Sequence, residues 1–321
     1  MTTVKQSMKI LLLIKNRLDK YLLRWSKYQF IKYKFQLILV KYISILFCNI
    51  MNIFPDKKNY DVLLIYPKSD NDTTIMPPHS LLTIAVPLIK AGYSVKIIDQ
   101  RIDSLCVNNI ASILQKGIIC VGITFYTCSQ IKYACDLMDF IKEHFTSVKI
   151  VAGGYHASVL PRETIGYKNI DIVVIGEGEK TLLDLVDALK NKKDLKDVKS
   201  IIYKEENGSI VRTSQRAPVD LNEHYEFDHY KVLNKRFFYP INTLFTTRGC
   251  RYSCSFCAVP VLYPQVRFVK SDIIISKIRS ILKAGLRQLY FLDDNFFSDI
   301  ERTNEILDKI IENDIRFSWW A

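Results

Sequence analysis

The alternation of strand-like and helix-like segments is the feature that most constrains the fold of this chain. Between residues 60 and 196, five short apolar runs are separated by segments with helical periodicity. Such alternation is typical of a parallel sheet covered by helices. The third run, residues 118–126, is apolar throughout, as expected for a strand that is buried on both faces. We therefore predict an α/β fold with a Rossmann-like parallel sheet.

Glycines follow the last two predicted strands of this block. Open α/β sheets receive ligands at the carboxyl ends of their strands, and glycine lets the backbone approach a ligand closely. Tight turns required by the topology explain the same glycines equally well. No G-x-G-x-x-G follows the first strand, so dinucleotide binding is unsupported. The candidate cofactor-binding residues at these strand ends are Gly153, Gly154, Gly176, Glu177, Gly178 and Glu179.

Residues 197–240 predict a hairpin and a linker, and the alternation returns from residue 241. The hairpin has Asn207-Gly208 at its turn, a strong signal for a tight connection. From residue 241 the pattern predicts strand, helix, strand, helix and strand. The middle strand ends in Asp293, Asp294 and Asn295, and polar residues at the carboxyl end of a barrel strand face its site. N-capping of the next helix is the alternative role for the aspartates.

Three cysteines with the spacing C-x3-C-x2-C follow the strand predicted at residues 241–247. Thiolates this close together can converge on one metal centre, and sulfur ligands favour zinc, copper(I) or iron–sulfur clusters. Structural zinc takes four protein ligands, and no nearby Cys or His is spaced to supply the fourth. Three cysteines leave one coordination position open on a bound metal centre, and a zinc site, an iron–sulfur cluster, a redox pair and coincidence stay open on the spacing alone. The predicted metal ligands are Cys250, Cys254 and Cys257.

The remaining cysteines and the linker histidines give no second metal site. His224 and His229 lie in the predicted linker, where solvated side chains are the favoured reading. No signal-peptide cleavage pattern follows the N-terminal apolar run, so reduced thiols in the cytoplasm are expected. The cysteines outside the motif show no paired spacing, and Cys120 reads as a small core residue; they are Cys48, Cys106, Cys120, Cys128 and Cys135.

Residues 1–59 carry most of the net charge. They hold twelve Lys and Arg against two Asp, whereas the remainder holds 33 basic and 31 acidic residues. The segment interleaves basic residues with apolar and aromatic ones and has no Gly or Pro before Pro55, which predicts an amphipathic helical extension. Such a helix suits contact with an anionic membrane surface better than a membrane span; packing on the body, or a poorly ordered leader, is the alternative. No motif supports binding of nucleic acid.

The chain resembles the radical S-adenosylmethionine enzymes that carry an N-terminal cobalamin-binding domain. The segments PPHSLLTIAVPLIKAGYSVKIID, VGITFYT, VAGGYHASVLPRETI and DIVVIGEGEKTLLDL resemble that domain in sequence and in order. The cysteine motif, with an aromatic residue at Phe256, resembles the C-x3-C-x2-C signature of radical S-adenosylmethionine enzymes. The D-x-H-x-x-G loop of cobalamin binders that ligate cobalt through histidine is absent. We therefore do not predict His79 as a cobalt ligand, and His156 is expected to be a hydrogen-bonding loop residue.

The resemblance implies four units. They are the extension (1–59), a cobalamin-binding domain (60–196), a hairpin and linker (197–240), and the first half of a radical S-adenosylmethionine (β/α) barrel (241–321). It implies a [4Fe–4S] cluster on the three cysteines, S-adenosylmethionine on the fourth iron, and cobalamin. Phe256, Asp293, Asp294 and Asn295 would lie near S-adenosylmethionine. The implied partners are a small-molecule or lipid-like substrate and an electron donor such as reduced flavodoxin or ferredoxin.

The resemblance also implies the chemistry and its alternative. Reductive cleavage of S-adenosylmethionine would serve methyl transfer or carbon-skeleton chemistry on a lipid, natural-product or tetrapyrrole-like substrate. Residues 241–321 provide about half of the six-strand barrel, so truncation within the barrel is expected, or completion by a second chain. An inactive, cofactor-binding fragment is the alternative function. The protein is expected in the cytoplasm, with peripheral membrane contact through residues 1–59.

Overall fold

The structure is a computed structural model that describes residues 59–70, 76–102, 107–127, 129–223, 239, 241–283, 285 and 287–321. All of these residues belong to one compact unit, Ser44–Ala321. The predicted helical extension lies outside the described residues, and so do His224 and His229. None of the helices in the described part of the chain is long and apolar enough to cross a bilayer.

The first sheet has five parallel strands, as the alternation predicts. They are β1 (Val62–Tyr66), β2 (Val95–Asp99), β3 (Cys120–Thr124), β4 (Lys149–Gly153) and β5 (Ile172–Val174). Their order is β2-β1-β3-β4-β5, so the order reverses beside β1. In open α/β sheets ligands bind outside the carboxyl ends of the strands at such a reversal.

The predicted hairpin is present and extends this sheet. It comprises β6 (Ile201–Lys204) and β7 (Ile210–Arg212), and β6 pairs antiparallel with β5. Ile201 and Ile202 of β6 are buried on opposite faces of the sheet. The sheet therefore runs past residue 196, where the sequence pattern placed the end of this domain, because β6 buries apolar side chains that a free connector would expose to water.

Helices cover both faces of this sheet. They are α1 (His79–Lys90), α2 (Val107–Leu114), α3 (Gln130–His144), α4 (Tyr155–Val159), α5 (Pro161–Gly166) and α6 (Gly178–Lys190). Leu63 and Ile65 of β1 face one hydrophobic cluster, whereas Val62 and Leu64 face the other, as the two-residue period of a strand requires. His156 lies within α4 and is buried, so the expectation of a loop residue is wrong. The turn after β4 continues directly into a helix.

Residues from Asn242 onward form a second, smaller α/β arrangement. Its elements are β8 (Asn242–Leu244), β9 (Thr247–Arg248), α7 (Val259–Leu262), β10 (Arg267–Phe268), α8 (Ser271–Lys283), β11 (Gln288–Phe291), α9 (Ile300–Glu312) and β12 (Ser318–Trp320). β11 lies between β8 and β12 and is parallel to both. These three strands and two helices make the predicted succession of half a barrel, and the α/β fold class is confirmed.

The strand predicted at residues 241–247 is interrupted. β8 ends at Leu244, and β9 turns away to pair antiparallel with β10. The cysteine loop and α7 lie between β9 and β10. This two-stranded ribbon therefore frames the cysteine motif at its base.

Candidate functional site

A cavity of about 350 Å³ lies at the carboxyl ends of the strands of the first sheet. The second part of the chain closes it with residues that precede the cysteines, residues that follow them in and after α7, and residues that follow β11. All six residues predicted at the glycine turns line this cavity. The residues from the second part are Phe245, Thr247, Arg248, Leu262, Tyr263, Leu292 and Asp294.

Two of the cavity glycines are required by their backbone. Gly154 has φ 101°, and a Cβ there would lie 3.3 Å from the carbonyl oxygen of Phe125. Gly176 has φ 76° and an open space where a side chain would be. Left-handed φ values favour glycine because it has no Cβ. Both turns therefore line the cavity without a side chain of their own.

Glu177 and Glu179 contact arginines of the second part of the chain. Arg248 donates from Nη1 to Glu177 Oε1 (2.8 Å) and from Nη2 to Glu179 Oε1 (2.5 Å). Arg267 donates from Nη2 to Glu177 Oε1 (2.6 Å). The side chains of Arg248, Glu177 and Glu179 are 12%, 9% and 3% exposed, so the charges are largely removed from water. We call these four side chains the glutamate–arginine cluster.

The charge state of this cluster follows from its pairing. Burial raises the pKa of the Glu177 carboxyl, but the hydrogen bonds from Arg267 and Arg248 outweigh that effect, and the pKa lies below its ordinary value. Burial likewise lowers the pKa of the Arg248 guanidinium, but the charges of Glu179 and Glu177 raise it well above its ordinary value. At neutral pH, Glu177 and Arg248 are therefore both ionised.

Asp293 braces the interrupted strand. Its Oδ1 accepts hydrogen bonds from the backbone N–H of Thr246 (2.5 Å) and Thr247 (2.9 Å), and its Oδ2 accepts from Thr246 Oγ1. These contacts lie at the break between β8 and β9, where ladder pairing is lost. The N-cap of α9 is Asp299, which accepts from Arg302 N at 3.0 Å, so the alternative N-cap role for Asp293 and Asp294 is wrong.

Asp294 and Asn295 point toward the start of the cysteine loop. Asp294 Oδ2 accepts from Gly249 N (2.9 Å), and its Oδ1 accepts from Tyr155 Oη (3.3 Å). Asn295 Nδ2 lies 4.0 Å from the Sγ of Cys250. The two residues therefore lie beside the cysteine motif, and their contact with S-adenosylmethionine stays a prediction.

The three motif cysteines lie in an accessible loop. Cys254 is exposed, and Cys250 and Cys257 are half-buried. The side chain of Phe256 is 91% exposed. Across the described ranges, no three His, Cys, Asp or Glu side chains stand close enough together to hold a metal ion. The ligand assignment for the three cysteines therefore stays a prediction.

Sequence reasoning missed the arginines and Tyr155 at this site. Arg248 offered one signal, because it is a charged residue that ends an apolar run two positions before Cys250. Arg267 and Tyr155 offered none, since their partners are distant in sequence. His79 also lines the cavity. Burial, with the charges of Arg248 and Lys277, lowers the pKa of His79 to about 3, so its imidazole is neutral near pH 7.

Replacing Asp293 tests its bracing role. We expect Asp293→Ala to lower the free energy of unfolding by about 1–3 kcal/mol for each buried backbone N–H left without an acceptor. Asp293→Asn retains an oxygen acceptor, so its loss should stay within about 1 kcal/mol. Urea unfolding followed by circular dichroism measures both. Equal losses in the two variants would contradict the role.

The pH dependence of the same variants gives a second measurement. Burial raises the pKa of the Asp293 carboxyl, although hydrogen bonds from Thr246 and Thr247 oppose it. A raised pKa in the folded state means that the contribution to stability is complete below the ordinary pKa and is lost as pH rises through the folded value. Wild type should show this loss between its ordinary and raised pKa, and Asp293→Asn should lack it.

A family model described as the B12-binding domain matches residues 70–186. An uncharacterized methyltransferase of Pyrococcus horikoshii is 30% identical over 278 residues, which cover 81% of this chain and 59% of the relative. The hopanoid C-2 methylase of Rhodopseudomonas palustris is 25% identical over 249 residues, or 77% of this chain and 42% of that protein. The chain thus spans less than two thirds of the length of these relatives.

A solved structure shares this fold. The cobalamin-dependent S-adenosylmethionine radical enzyme OxsB, with aqua-cobalamin and S-adenosylmethionine bound, aligns with a TM-score of 0.70 and 23% identity. The alignment covers 82% of this chain and 38% of that enzyme. Both parts of the described fold, the sheet domain and the half barrel, therefore have a counterpart in one known protein.

Proposed function

We propose that this chain serves cobalamin-dependent methyl transfer, because it belongs to the radical S-adenosylmethionine proteins that carry an N-terminal cobalamin-binding domain. In this proposal cobalamin lies against the glycine turns of the first sheet, and Cys250, Cys254 and Cys257 hold a [4Fe–4S] cluster. S-adenosylmethionine completes the cluster and supplies the methyl group. Carbon-skeleton chemistry on the same cofactors is the second outcome that the experiment below separates.

One observation carries this proposal: a single cavity is lined by both the glycine turns and the residues that precede the cysteine loop. Gly154 and Gly176 come from the sheet edge, whereas Arg248 and Asp294 come from the half barrel. Methyl transfer between two cofactors requires that their sites face each other across a short distance. The shared cavity supports the proposal, because residues from both parts of this one chain line it.

The residues present suit the two groups in their chemistry. Gly154 and Gly176 line the cavity without a side chain of their own, and His79, although it lines the cavity, is buried and neutral. The three thiols are soft donors of the kind that iron–sulfur clusters take, and Cys254 is accessible to incoming iron. When bound, the cluster would supply the electron that cleaves S-adenosylmethionine.

The substrate and partners are proposed at the level of chemical class. We infer a small-molecule substrate, and the similarity to a hopanoid methylase supports a lipid-like one. The basic, aromatic-rich residues 1–59 would place the protein at a membrane surface, where such a substrate resides. The proposal also includes a low-potential electron donor such as flavodoxin or ferredoxin. It places the protein in the cytoplasm, where thiols stay reduced.

Anaerobic reconstitution tests the function. The full chain is incubated with ferrous iron, sulfide and hydroxocobalamin, desalted, and measured for iron, sulfide and cobalamin absorbance. Electron paramagnetic resonance of the reduced protein should show a [4Fe–4S] signal that changes when S-adenosylmethionine is added. Formation of S-adenosylhomocysteine supports methyl transfer, whereas 5′-deoxyadenosine alone supports carbon-skeleton chemistry.

Two results would overturn the proposal. If the desalted protein has no cobalamin absorbance, cobalamin is not a cofactor of this chain. A protein that retains both cofactors but leaves S-adenosylmethionine intact would be a cofactor-binding fragment rather than an enzyme.

A further inference from the structure

We propose that Arg248 is a positioning residue that couples the cobalamin-side turn, Gly176–Glu179, to the cysteine loop, so that occupation of either site strengthens binding at the other. This inference rests on the proposed function. It assigns to Glu177, Glu179 and Arg248 a role as the connection between the two sites.

The first contact of this connection is the glutamate–arginine cluster. The guanidinium of Arg248 reaches two carboxylates of the turn at 2.8 and 2.5 Å. Its carbon lies 4.6 Å from the ring centre of Phe245, which fixes the guanidinium from a third side. A planar guanidinium with two separate partners has one orientation, whereas an ammonium would not be constrained in this way. The backbone of Arg248 is therefore fixed relative to the turn.

The second contact holds the next residue. Gly249 donates its N–H to Asp294, and Asp294 accepts from the hydroxyl of Tyr155. Tyr155 begins α4 directly after the Gly153–Gly154 turn. Gly249 itself has φ 95°, and a Cβ there would lie 2.8 Å from the carbonyl oxygen of Gln265. The two residues before Cys250 are thus each connected to a different turn of the first sheet.

These contacts give the coupling a physical basis. Cys250 follows Arg248 and Gly249 directly, so its position depends on the turns that hold them. A cobalamin seated on the turns would restrict the motion of the turn that carries Glu177 and Glu179, and through Arg248 it would restrict the motion of the first cysteine. The first ligand to bind bears the loss of conformational entropy in the turns and the loop. The second ligand then binds with a smaller entropy loss, which makes the binding of the two cooperative. By linkage the effect is reciprocal.

Hydroxocobalamin titration of wild type, with and without the reconstituted cluster, measures the coupling. We expect the cluster-loaded form to bind cobalamin about fivefold or more tightly than the cluster-free form. In Glu179→Gln the ratio should fall to about one, because a neutral amide holds Arg248 less firmly. Lys180→Gln is the matched control. Lys180 is next to Glu179 in the chain, but its side chain forms an exposed ion pair with Glu223, so this variant should retain the wild-type ratio of affinities.

Hydrogen exchange of the cluster-free, cobalamin-free protein provides a readout that needs neither cofactor. Amides of residues 249–257 should exchange faster in Glu179→Gln than in wild type, although residue 179 is distant in sequence. Glu177→Gln serves as the second variant if Glu179→Gln does not fold. Unchanged exchange in the loop, or an affinity ratio that stays at the wild-type value in the variant, would overturn the inference. If the wild-type chain binds no cobalamin at all, both the proposed function and the coupling of the two sites are overturned. Faster exchange of the loop in Glu179→Gln than in wild type would then still support the mechanical connection through Arg248.

Discussion

Replacing Cys254 with alanine should abolish cluster assembly while leaving the fold unchanged. Cys254 is exposed, so its truncation removes no buried apolar contact. If it is one of three iron ligands, the variant should lose the [4Fe–4S] signal and the response to S-adenosylmethionine. Loss of an outer-shell partner alone costs a metal site about 10–100-fold, so loss of a ligand should lower S-adenosylmethionine cleavage by about 100-fold or more.

Cys135→Ser is the matched control for this experiment. Cys135 is partly buried on α3, and burial together with Asp139 and Asp136 raises the pKa of its thiol. It lies outside the motif and the cavity, so the variant should assemble as much cluster as wild type. Iron and sulfide analysis and electron paramagnetic resonance measure both variants. A Cys254→Ala protein with a complete, S-adenosylmethionine-responsive cluster would refute the ligand assignment.

Replacing Arg248 with methionine should cause a large loss of stability. Methionine fills similar space but leaves the buried carboxylate of Glu179 without the guanidinium that it faces. Breaking a buried ion pair by removing one partner typically costs about 3–5 kcal/mol. Equilibrium unfolding in urea should show a lower midpoint with an unchanged slope. The Arg316→Met variant, whose ion pair with Asp314 is exposed, should unfold like wild type.

The pH dependence of unfolding distinguishes lost charge pairing from lost packing. Hydrogen bonds from Arg267 and Arg248 outweigh the effect of burial and hold the pKa of Glu177 below its ordinary value. A lowered pKa in the folded state means that this contribution is present above the ordinary value and is lost as pH falls through the folded value. Wild type should therefore lose stability below about pH 4.5, and Arg248→Met should lose less over the same range. Parallel pH profiles for the two proteins would show that packing, not charge, explains the loss.

The sequence predicted the elements of the fold because their signals are local. Strand and helix periodicities place the five parallel strands and the later succession of strand and helix, and cysteine spacing singles out the motif loop. Family resemblance then ordered these pieces correctly. The hairpin was found through Asn207-Gly208, but its pairing with β5 was not, because strand pairing depends on which edge of the sheet is free.

The sequence pointed to some residues that the structure brings near one another, but not to the contacts that they make. The glycine turns and Asp294 do line one cavity, because the turns after β4, β5 and β11 meet there, and Asn295 lies beside Cys250. Asp293, in contrast, faces inward and braces a break between β8 and β9, and no pattern in the sequence announces that break.

By itself, the sequence determined the α/β class, the order of the sheet domain and the half barrel, and the spacing of the three cysteines. Only the tertiary structure decided that Glu177 and Glu179 contact Arg248, since these residues are 71 and 69 positions away from it in the chain. Local periodicity reports which face of an element is buried, but not which distant charge it meets there. A buried charge needs a partner from whatever element packs against it, and that partner is chosen by the folding of the whole chain.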